Sequence, residues 1–175
     1  LKIEGRMKSP YYVGFVTRLY RRIIDAYLRN EKYTITDEDI YNLKVLYNRE
    51  FTKGFINNEI KKDIVNIKSP NHLGVVIGKV VSFDKDKILI KLNHTLNQGD
   101  GIRFTINNKG LTCNYLYDKK MNLVSSASEY VYLKNSNLIN EYSDVVKTFD
   151  IKLKEELSNL TLKKIEISFK VIAKA

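Results

Sequence analysis

The spacing of apolar residues changes near residues 68–72, and this change constrains the fold more than any other feature of the sequence. Before it, apolar residues recur at intervals of three and four, as on one face of an α-helix. After it, apolar and polar residues alternate, as in strands with one buried face. A proline stands at position 70, where it disfavours helical backbone in the residue before it. The pattern predicts an α+β protein, with helices in residues 1–72 and a separable antiparallel β-module in residues 73–148.

Two helices are predicted in the first part. Ser9 and Pro10 suit the N-cap and the first position of a helix. Thr36, followed by three acidic residues, suits the N-cap of a second helix. Each helix carries one apolar stripe, formed by Val13, Val16, Tyr20, Ile23, Ile24, Tyr27 and Leu28 in the first and by Ile40, Leu43, Leu46 and Tyr47 in the second.

Short strands separated by turn sequences are predicted in the second part. They cover residues 74–82, 87–92, 102–106, 111–117, 123–125, 130–133 and 144–148. Strands at this spacing are typical of a small antiparallel barrel or sandwich. Residues 149–175 form a third segment, in which Asp150 suits the cap of a short helix and residues 165–173 alternate like a strand leading into a following domain.

The composition favours a polyanionic partner. Lys and Arg number 30 against 20 Asp and Glu, a formal net charge of +10, which favours RNA or DNA ahead of a membrane surface. An AT-rich genome would also enrich lysine, so composition alone leaves both explanations open. The single cysteine, Cys113, excludes an internal disulfide and a self-contained iron–sulfur cluster. No cofactor and no membrane partner are therefore expected in this chain.

Two groups of residues are candidates for binding. Arg18, Arg21 and Arg22 lie on the first predicted helix, either as a solvated face or as a face that contacts phosphates. The segment 48–55 brings two aromatic residues, two cations and a glycine together, either as the lining of a site or as an exposed connection. The sequence contains no metal-binding spacing, no phosphate-binding loop and no motif for a catalytic triad. The residues taken alone therefore indicate a scaffold with a binding surface.

Several segments together resemble a known family. Residues 1–10 read Leu-Lys-Ile-Glu-Gly-Arg-Met-Lys-Ser-Pro, residues 16–22 read Val-Thr-Arg-Leu-Tyr-Arg-Arg, and residues 48–55 read Asn-Arg-Glu-Phe-Thr-Lys-Gly-Phe. Residues 70–80 and 96–102 add two further motifs. In this order the segments resemble the collagenase-like peptidase family U32, most weakly over residues 107–143. The same order favours residues 1–6 as native sequence, although Ile-Glu-Gly-Arg is also the site of a tag-removing protease.

The resemblance implies a fold and a set of site residues. It implies an α/β barrel of the triosephosphate-isomerase type, of which this chain holds the end, followed by a β-barrel similar to domain two of translation factors. Residues 2–6 would then end a late barrel strand, where such folds keep functional residues. The expected catalytic residues are Glu4 and Arg6, with a structural ion pair as the alternative. The expected substrate-binding residues are Lys2, Lys8, Arg18, Arg21, Arg22, Arg49, Phe51, Lys53 and Phe55.

The resemblance also implies an activity for the longer protein. The family carries a peptidase (hydrolase) label, but relatives with an upstream cysteine-rich segment resemble iron–sulfur hydroxylases that act on transfer RNA, ribosomal RNA or a quinone precursor. Residues 144–148 and the helix after them look most like the longer members linked to ribosomal RNA hydroxylation. We expect a C-terminal fragment of a bacterial, cytoplasmic protein, inactive by itself, that recognises structured RNA. The alternatives are a protease part that binds a polypeptide and a purely structural module.

Overall fold

Three helices form where the capping residues predict them. The computed structural model describes residues 2–52, 71–136, 139–160 and 166–172. The side chain of Ser9 accepts a hydrogen bond from a backbone N–H of the first helix, and Thr36 forms a reciprocal capping box with Asp39. Asp150 caps the third helix by accepting from the backbone N–H of Leu153. The helices are α1 (Pro10–Leu28), α2 (Asp37–Leu46) and α3 (Ile151–Ser158).

The β-module is an eight-stranded antiparallel sheet that curls into a half-barrel. Its strand order is β5-β4-β10-β1-β2-β9-β6-β7, and a separate two-stranded sheet pairs β3 with β8. The strands are β1 (Val75–Phe83), β2 (Lys87–Leu92), β3 (Leu96–Asn97), β4 (Gly101–Phe104), β5 (Gly110–Thr112), β6 (Leu116–Tyr117), β7 (Leu123–Val124), β8 (Ser126–Ala127), β9 (Tyr130–Lys134) and β10 (Asp144–Phe149). The α+β class and the antiparallel sheet are confirmed.

One predicted strand is wrong in its continuity, and two short strands are not predicted at all. The strand predicted over 111–117 is broken into β5 and β6, because Cys113 turns inward and exchanges backbone hydrogen bonds with Gly99 and Asp100 instead of with a ladder neighbour. The strand predicted over 123–125 is observed as β7, which covers Leu123–Val124. The two unpredicted strands are β3 and β8, which pair with each other in the small second sheet.

The inner face of the curled sheet carries the main core. The apolar side chains there come from most strands of the sheet, and many are fully buried. They include Ile77, Val80, Ile88, Ile90, Leu92, Ile102, Phe104, Leu116, Val131, Leu133 and Val145. Burying such side chains provides most of the driving force for folding.

A second, smaller core joins the two ends of the chain. Phe15 and Leu19 of α1 pack against Leu153 and Leu157 of α3, and all four are buried. In addition, α2 packs against β1 and β10. The segment after the sheet therefore returns to the N-terminal helices.

Two segments expected as strands are not strands in the described chain. Residues 166–172 form no strand, and the apolar side chains of Ile167, Phe169 and Val171 remain exposed. Residues 2–5 are irregular, and the backbone N–H of Lys8 donates to the Gly5 carbonyl oxygen at 2.9 Å, which closes a turn. Alternation alone does not form a strand, because a strand needs a neighbour to bind its backbone groups. In the described ranges, no helix is both long and apolar enough to cross a membrane.

Candidate nucleic-acid interface

The expected catalytic residues lie on the surface in the N-terminal segment. Both Glu4 and Arg6 are exposed. The Glu4 carboxylate accepts a hydrogen bond from the backbone N–H of Arg6 at 3.3 Å and lies 3.9 Å from the Lys2 ammonium. Between them, Gly5 approaches α1 so closely that a Cβ atom there would overlap the side chain of Val13. The carboxylate of Glu4 therefore pairs with the ammonium of Lys2 and not with the side chain of Arg6. The close packing of Gly5 against Val13 leaves no room for a side chain at position 5.

Tyr47 brings two of the expected substrate-binding cations together. The Lys8 ammonium lies 3.3 Å from the centroid of the Tyr47 ring, a cation–π contact. Hydrogen bonding to Lys8, with a smaller contribution from Arg49, lowers the pKa of Tyr47. The same ring stacks on His72 with a centroid separation of 5.7 Å. Lys8 and Arg49 therefore form one cationic cluster, joined through an aromatic ring that the sequence does not single out.

The arginines of α1 are ion-paired. Arg18 donates to Glu156 of α3 at 2.6 Å, and Arg22 lies 3.3 Å from Asp39 of α2. Arg21 pairs with Asp25 one turn along its own helix. An exposed pair of this kind is worth little stability, but each carboxylate neutralises a charge that a phosphate would need. Phosphate binding by these arginines would have to compete with their carboxylate partners.

The aromatic loop is described only in part. Arg49 and Phe51 are exposed, with Phe51 52% accessible. The other two expected binding residues of this loop, Lys53 and Phe55, lie outside the described residues. Binding by the loop stays a prediction.

His72 fixes the connection between the helices and the sheet. Its Nδ1 accepts a hydrogen bond from the backbone N–H of Asn48 at 2.9 Å, and its Nε2 lies 3.0 Å from the carbonyl oxygen of Val45. An acceptor at Nδ1 and a donor at Nε2 require the neutral ring. Burial is the largest influence on the pKa of His72 and lowers it, which also favours the neutral ring. The histidine therefore has a structural role at the end of α2.

A buried ion network joins β10, α3 and the loop before β4. The Lys147 ammonium lies 2.7 Å from Asp100 Oδ2, 2.9 Å from Asp150 Oδ2 and 2.9 Å from the Thr95 carbonyl oxygen. Burial alone would lower the pKa of Lys147, but the hydrogen bond and charge of Asp100, together with the charges of Tyr41 and Asp150, outweigh burial and raise the pKa. These three acceptors use all three N–H donors of the ammonium. Lys147 is therefore held as a structural cation rather than as a nucleophile or a base.

A cavity of about 520 Å³ opens beside this network, between α2 and α3. Tyr41 and His94 form a tilted ring pair on its wall, with centroids 4.9 Å apart. Its described lining carries the carboxylates of Asp37, Glu38, Asp150 and Glu156 against the two cations Lys147 and Lys152. Carboxylates outnumber cations there, so the cavity is a poor candidate for a nucleic-acid backbone.

A second concave region of about 570 Å³, which we call the bay, lies where α2 meets the outer face of the sheet. Among the described residues that line it, the cations are Lys44 and Arg103, and none carries a carboxylate. Neither cation lies in a cationic run of the sequence, so composition and spacing do not point to them. The described lining residues are Lys44, Asn48, Asn71, Leu73, Gly74, Val75, Val76, Arg103, Thr105, Asn108 and Val146.

Neither metal nor thiol chemistry is supported by the described residues. In that part of the chain, His, Cys, Asp and Glu side chains form no group of three or more that could hold a metal ion. Cys113 is buried, and burial together with the nearby Asp100 charge raises the pKa of its thiol to about 12. At neutral pH the thiol is therefore protonated and enclosed.

Comparison with known proteins finds a family match in the N-terminal part of this chain and several similar proteins. The sequence model of Peptidase family U32 matches residues 1–66. A tRNA hydroxylation protein P1 of Bacillus subtilis is 29% identical over 135 residues, covering 73% of this chain and 32% of that protein. A 23S rRNA 5-hydroxycytidine synthase of Escherichia coli is 30% identical over 117 residues, covering 60% of this chain and 17% of that protein. An uncharacterized protease of Methanocaldococcus jannaschii is 33% identical over 108 residues, covering 58% of this chain and 26% of that protein.

The chain spans about a third or less of the length of these relatives. A solved structure of the C-terminal domain of a Geobacillus thermoleovorans U32 peptidase is 18% identical, with a TM-score of 0.39, and covers 42% of this chain and 91% of that domain. The resemblance to the collagenase-like peptidases is confirmed, because the first 66 residues of this chain match the model of Peptidase family U32.

Proposed function

We propose that this chain is the substrate-recognition part of an RNA-hydroxylating protein and that it binds structured RNA. The observation that carries the proposal is the length of the similarity to the tRNA hydroxylation protein. It covers 135 residues and therefore extends beyond the 66 residues of the family match into the β-module. A net charge of +10 supports the same partner, because cations that bind phosphates release counterions.

The polypeptide-binding alternative has less support from the geometry. A peptide could add to the edge of a sheet, but the edge strands here, β5 and β7, contain only three and two residues. Such short edges offer few backbone groups to a peptide. A purely structural module remains the other alternative, and the experiment below separates all three.

The experiment is a salt series with labelled RNA. The fluorescence anisotropy of a folded tRNA and of a ribosomal RNA hairpin is measured against the 175-residue chain, and denatured collagen is measured in parallel. We expect the chain to bind RNA, and we expect the logarithm of the association constant to fall steeply and linearly with the logarithm of salt concentration. Tighter binding to collagen would favour the polypeptide alternative, and binding to neither would favour a structural module.

We further propose that Glu4 and Arg6 lie near the reaction centre of the longer protein. Both are exposed on one short segment, and neither takes part in the helix-to-helix ion pairs that hold Arg18 and Arg22. Replacing Arg6 by Ala in the longer protein should abolish activity with little change in melting temperature. A large loss of stability with retained activity would contradict this role.

The remaining features of the longer protein are proposed on the same basis. The iron–sulfur cluster would lie outside this chain, because Cys113 is its only cysteine and is buried among core residues. The β-module is proposed as the counterpart of domain two of translation factors, and the protein as a bacterial, cytoplasmic one. This chain would therefore supply no set of cysteine ligands to that cluster.

A further inference from the structure

We propose that the bay binds a backbone phosphate of the RNA, with Arg103 and Lys44 as the two cations that hold it. This inference rests on the proposed function, since it names the part of the chain that would contact the RNA. Four observations support it: the position of Arg103 on the sheet, the charge of the lining, the state of the Arg103 guanidinium and the size of the bay.

Arg103 stands on the outer face of the sheet in a row across three neighbouring strands. It is paired with Val146 of β10, and Val146 is paired with Val76 of β1. The next residues along the two strands, Phe104 and Val145, are fully buried in the core on the inner face. Since successive side chains of a strand point to opposite faces, Arg103 projects away from the core and into the bay.

The charge of the lining selects for an anion. Arg18, Arg21, Arg22 and Arg29 each have a carboxylate partner. By contrast, Lys44 and Arg103 form no ion pair within the described ranges, and no described residue that lines the bay carries a carboxylate. The positive potential of these two cations is therefore not cancelled locally, unlike that of the α1 arginines.

The guanidinium of Arg103 is oriented but incompletely bonded. Its Nη2 donates to the carbonyl oxygen of Leu73 at 3.1 Å, which fixes the plane of the group. Its Nε is buried and has no hydrogen-bond acceptor in the part of the chain that the structure describes. A buried donor without an acceptor is unfavourable, and a guanidinium fork is suited to two oxygens of one phosphate. A bound phosphate would give this Nε–H its acceptor.

The size and the polar lining of the bay fit a phosphate that belongs to a nucleic-acid strand better than a free anion. A volume of about 570 Å³ lies in the range of roughly 300–1,000 Å³ found for small-molecule sites. Beyond the two cations, the wall carries the polar side chains of Thr105 and Asn108. The amide of Asn108 can exchange hydrogen bonds with a ribose hydroxyl, which is the group that distinguishes RNA from DNA.

The test combines RNA binding with a signal from Arg103 itself. Arg103→Gln and Lys44→Gln each remove one cation, and Lys134→Gln is the matched control, because Lys134 is an exposed cation of β9 outside the bay. For each bay variant we expect about tenfold weaker RNA binding. The slope of the logarithm of the association constant against the logarithm of salt concentration should become smaller in magnitude by about one. The control should keep the affinity and slope of the unchanged chain.

An NMR titration with inorganic phosphate provides an independent readout. The Nε–H resonance of Arg103, assigned by its disappearance in Arg103→Gln, should shift as phosphate is added. In Lys44→Gln, which keeps a side chain of similar length at this half-buried position of α2, the same shift should need a higher phosphate concentration. Arg103→Lys keeps the charge without the fork and should recover only part of the RNA affinity.

The outcomes separate this inference from the proposed function. If RNA binds the unchanged chain and the bay variants behave like Lys134→Gln, the bay is overturned and the proposed function stands. If the unchanged chain binds no RNA even at low salt, the proposed function fails, and this assignment of the ligand fails with it. An Arg103 Nε–H signal that does not respond to phosphate would also overturn the site.

Discussion

Lys147 and Asp100 form an ion pair in the interior of the protein, with 2.7 Å between Nζ and Oδ2. Both side chains are essentially inaccessible to water, at 1% and 0%. Two backbone N–H groups, those of Asn97 and Ile151, also donate to the Asp100 carboxylate. The pair therefore connects β10 to the turn before β4 and to the first residue of α3.

Replacing Lys147 by Ala should destabilise the protein strongly. It would leave the Asp100 carboxylate buried without its cation, and breaking a buried pair in this way costs about 3–5 kcal/mol. Urea unfolding should show this loss in the free energy of unfolding. The double variant Lys147→Met with Asp100→Asn should recover a large part of it, because no unpaired charge remains. A single variant within about 0.5 kcal/mol of the unchanged chain would contradict the prediction.

Stability should decrease as the pH falls below the ordinary pKa of histidine, because His72 is neutral in the folded state. Its folded pKa is lowered, so between that value and the ordinary one the unfolded chain binds a proton that the folded chain does not. The contribution of the neutral His72 to the free energy of unfolding is fully present above about pH 6.5, and it is lost as the pH falls through the pKa of His72 in the folded protein.

Guanidinium unfolding at pH 7.5, 6.5 and 5.5 measures this dependence. In His72→Asn the dependence should be weaker, because the titrating group is gone. His94→Asn is the control, since His94 is exposed, and it should keep the dependence of the unchanged chain. Equal pH dependence in all three proteins would rule out His72 as its source.

The thiol of Cys113 should resist alkylation in the folded protein. Its pKa is raised to about 12 by burial and, next, by the charge of Asp100, and the reactive species is the thiolate. Iodoacetamide at pH 8, followed by mass spectrometry, should label the native chain only as fast as it unfolds. Cys113→Ser with Asn114→Cys moves the thiol to the exposed neighbouring position and should be labelled readily. Rapid native labelling of Cys113 would contradict the burial.

Replacing Leu153 by Ala should loosen α3 from α1. Leu153 is 5% exposed in the small core with Phe15 and Leu19, and removing a buried leucine side chain costs about 2–5 kcal/mol. Lys152→Ala changes the exposed neighbour on the same helix and should have little effect. Hydrogen exchange should show reduced protection in α1 as well as in α3, and unchanged protection in α1 would argue against their mutual packing.

Local signals in the sequence predict local structure well. The Ser9, Thr36 and Asp150 caps each act within three residues, and all three helices begin where they predict. The strand predicted over 87–92 is observed with the same bounds as β2. Its six residues alternate between buried and more exposed positions, and the turn before it is closed by Asp84, which accepts from the backbone N–H groups of Asp86 and Lys87. In these cases the physical cause lies within the segment itself.

Contacts between distant residues are what the sequence does not reveal. Arg18 looks like part of an open cationic face, yet its partner Glu156 is 138 residues away. The cations of the bay, Lys44 and Arg103, have no common motif, and only the pairing of β4 with β10 and the packing of α2 bring them to one concavity. The strand expected over 165–173 fails for a related reason, since 166–172 alternate without a neighbouring strand.

Asp150 serves two roles with one carboxylate: it caps α3 by accepting from the Leu153 N–H, and it shares the charge of Lys147. The next residue, Ile151, donates its backbone N–H to Asp100, so the start of α3 is tied to the same network. A change at this position would alter helix initiation, internal charge balance and the placement of α3 on α1 together. The three properties are therefore coupled at a single position, and a replacement that preserves one of them does not by itself preserve the other two.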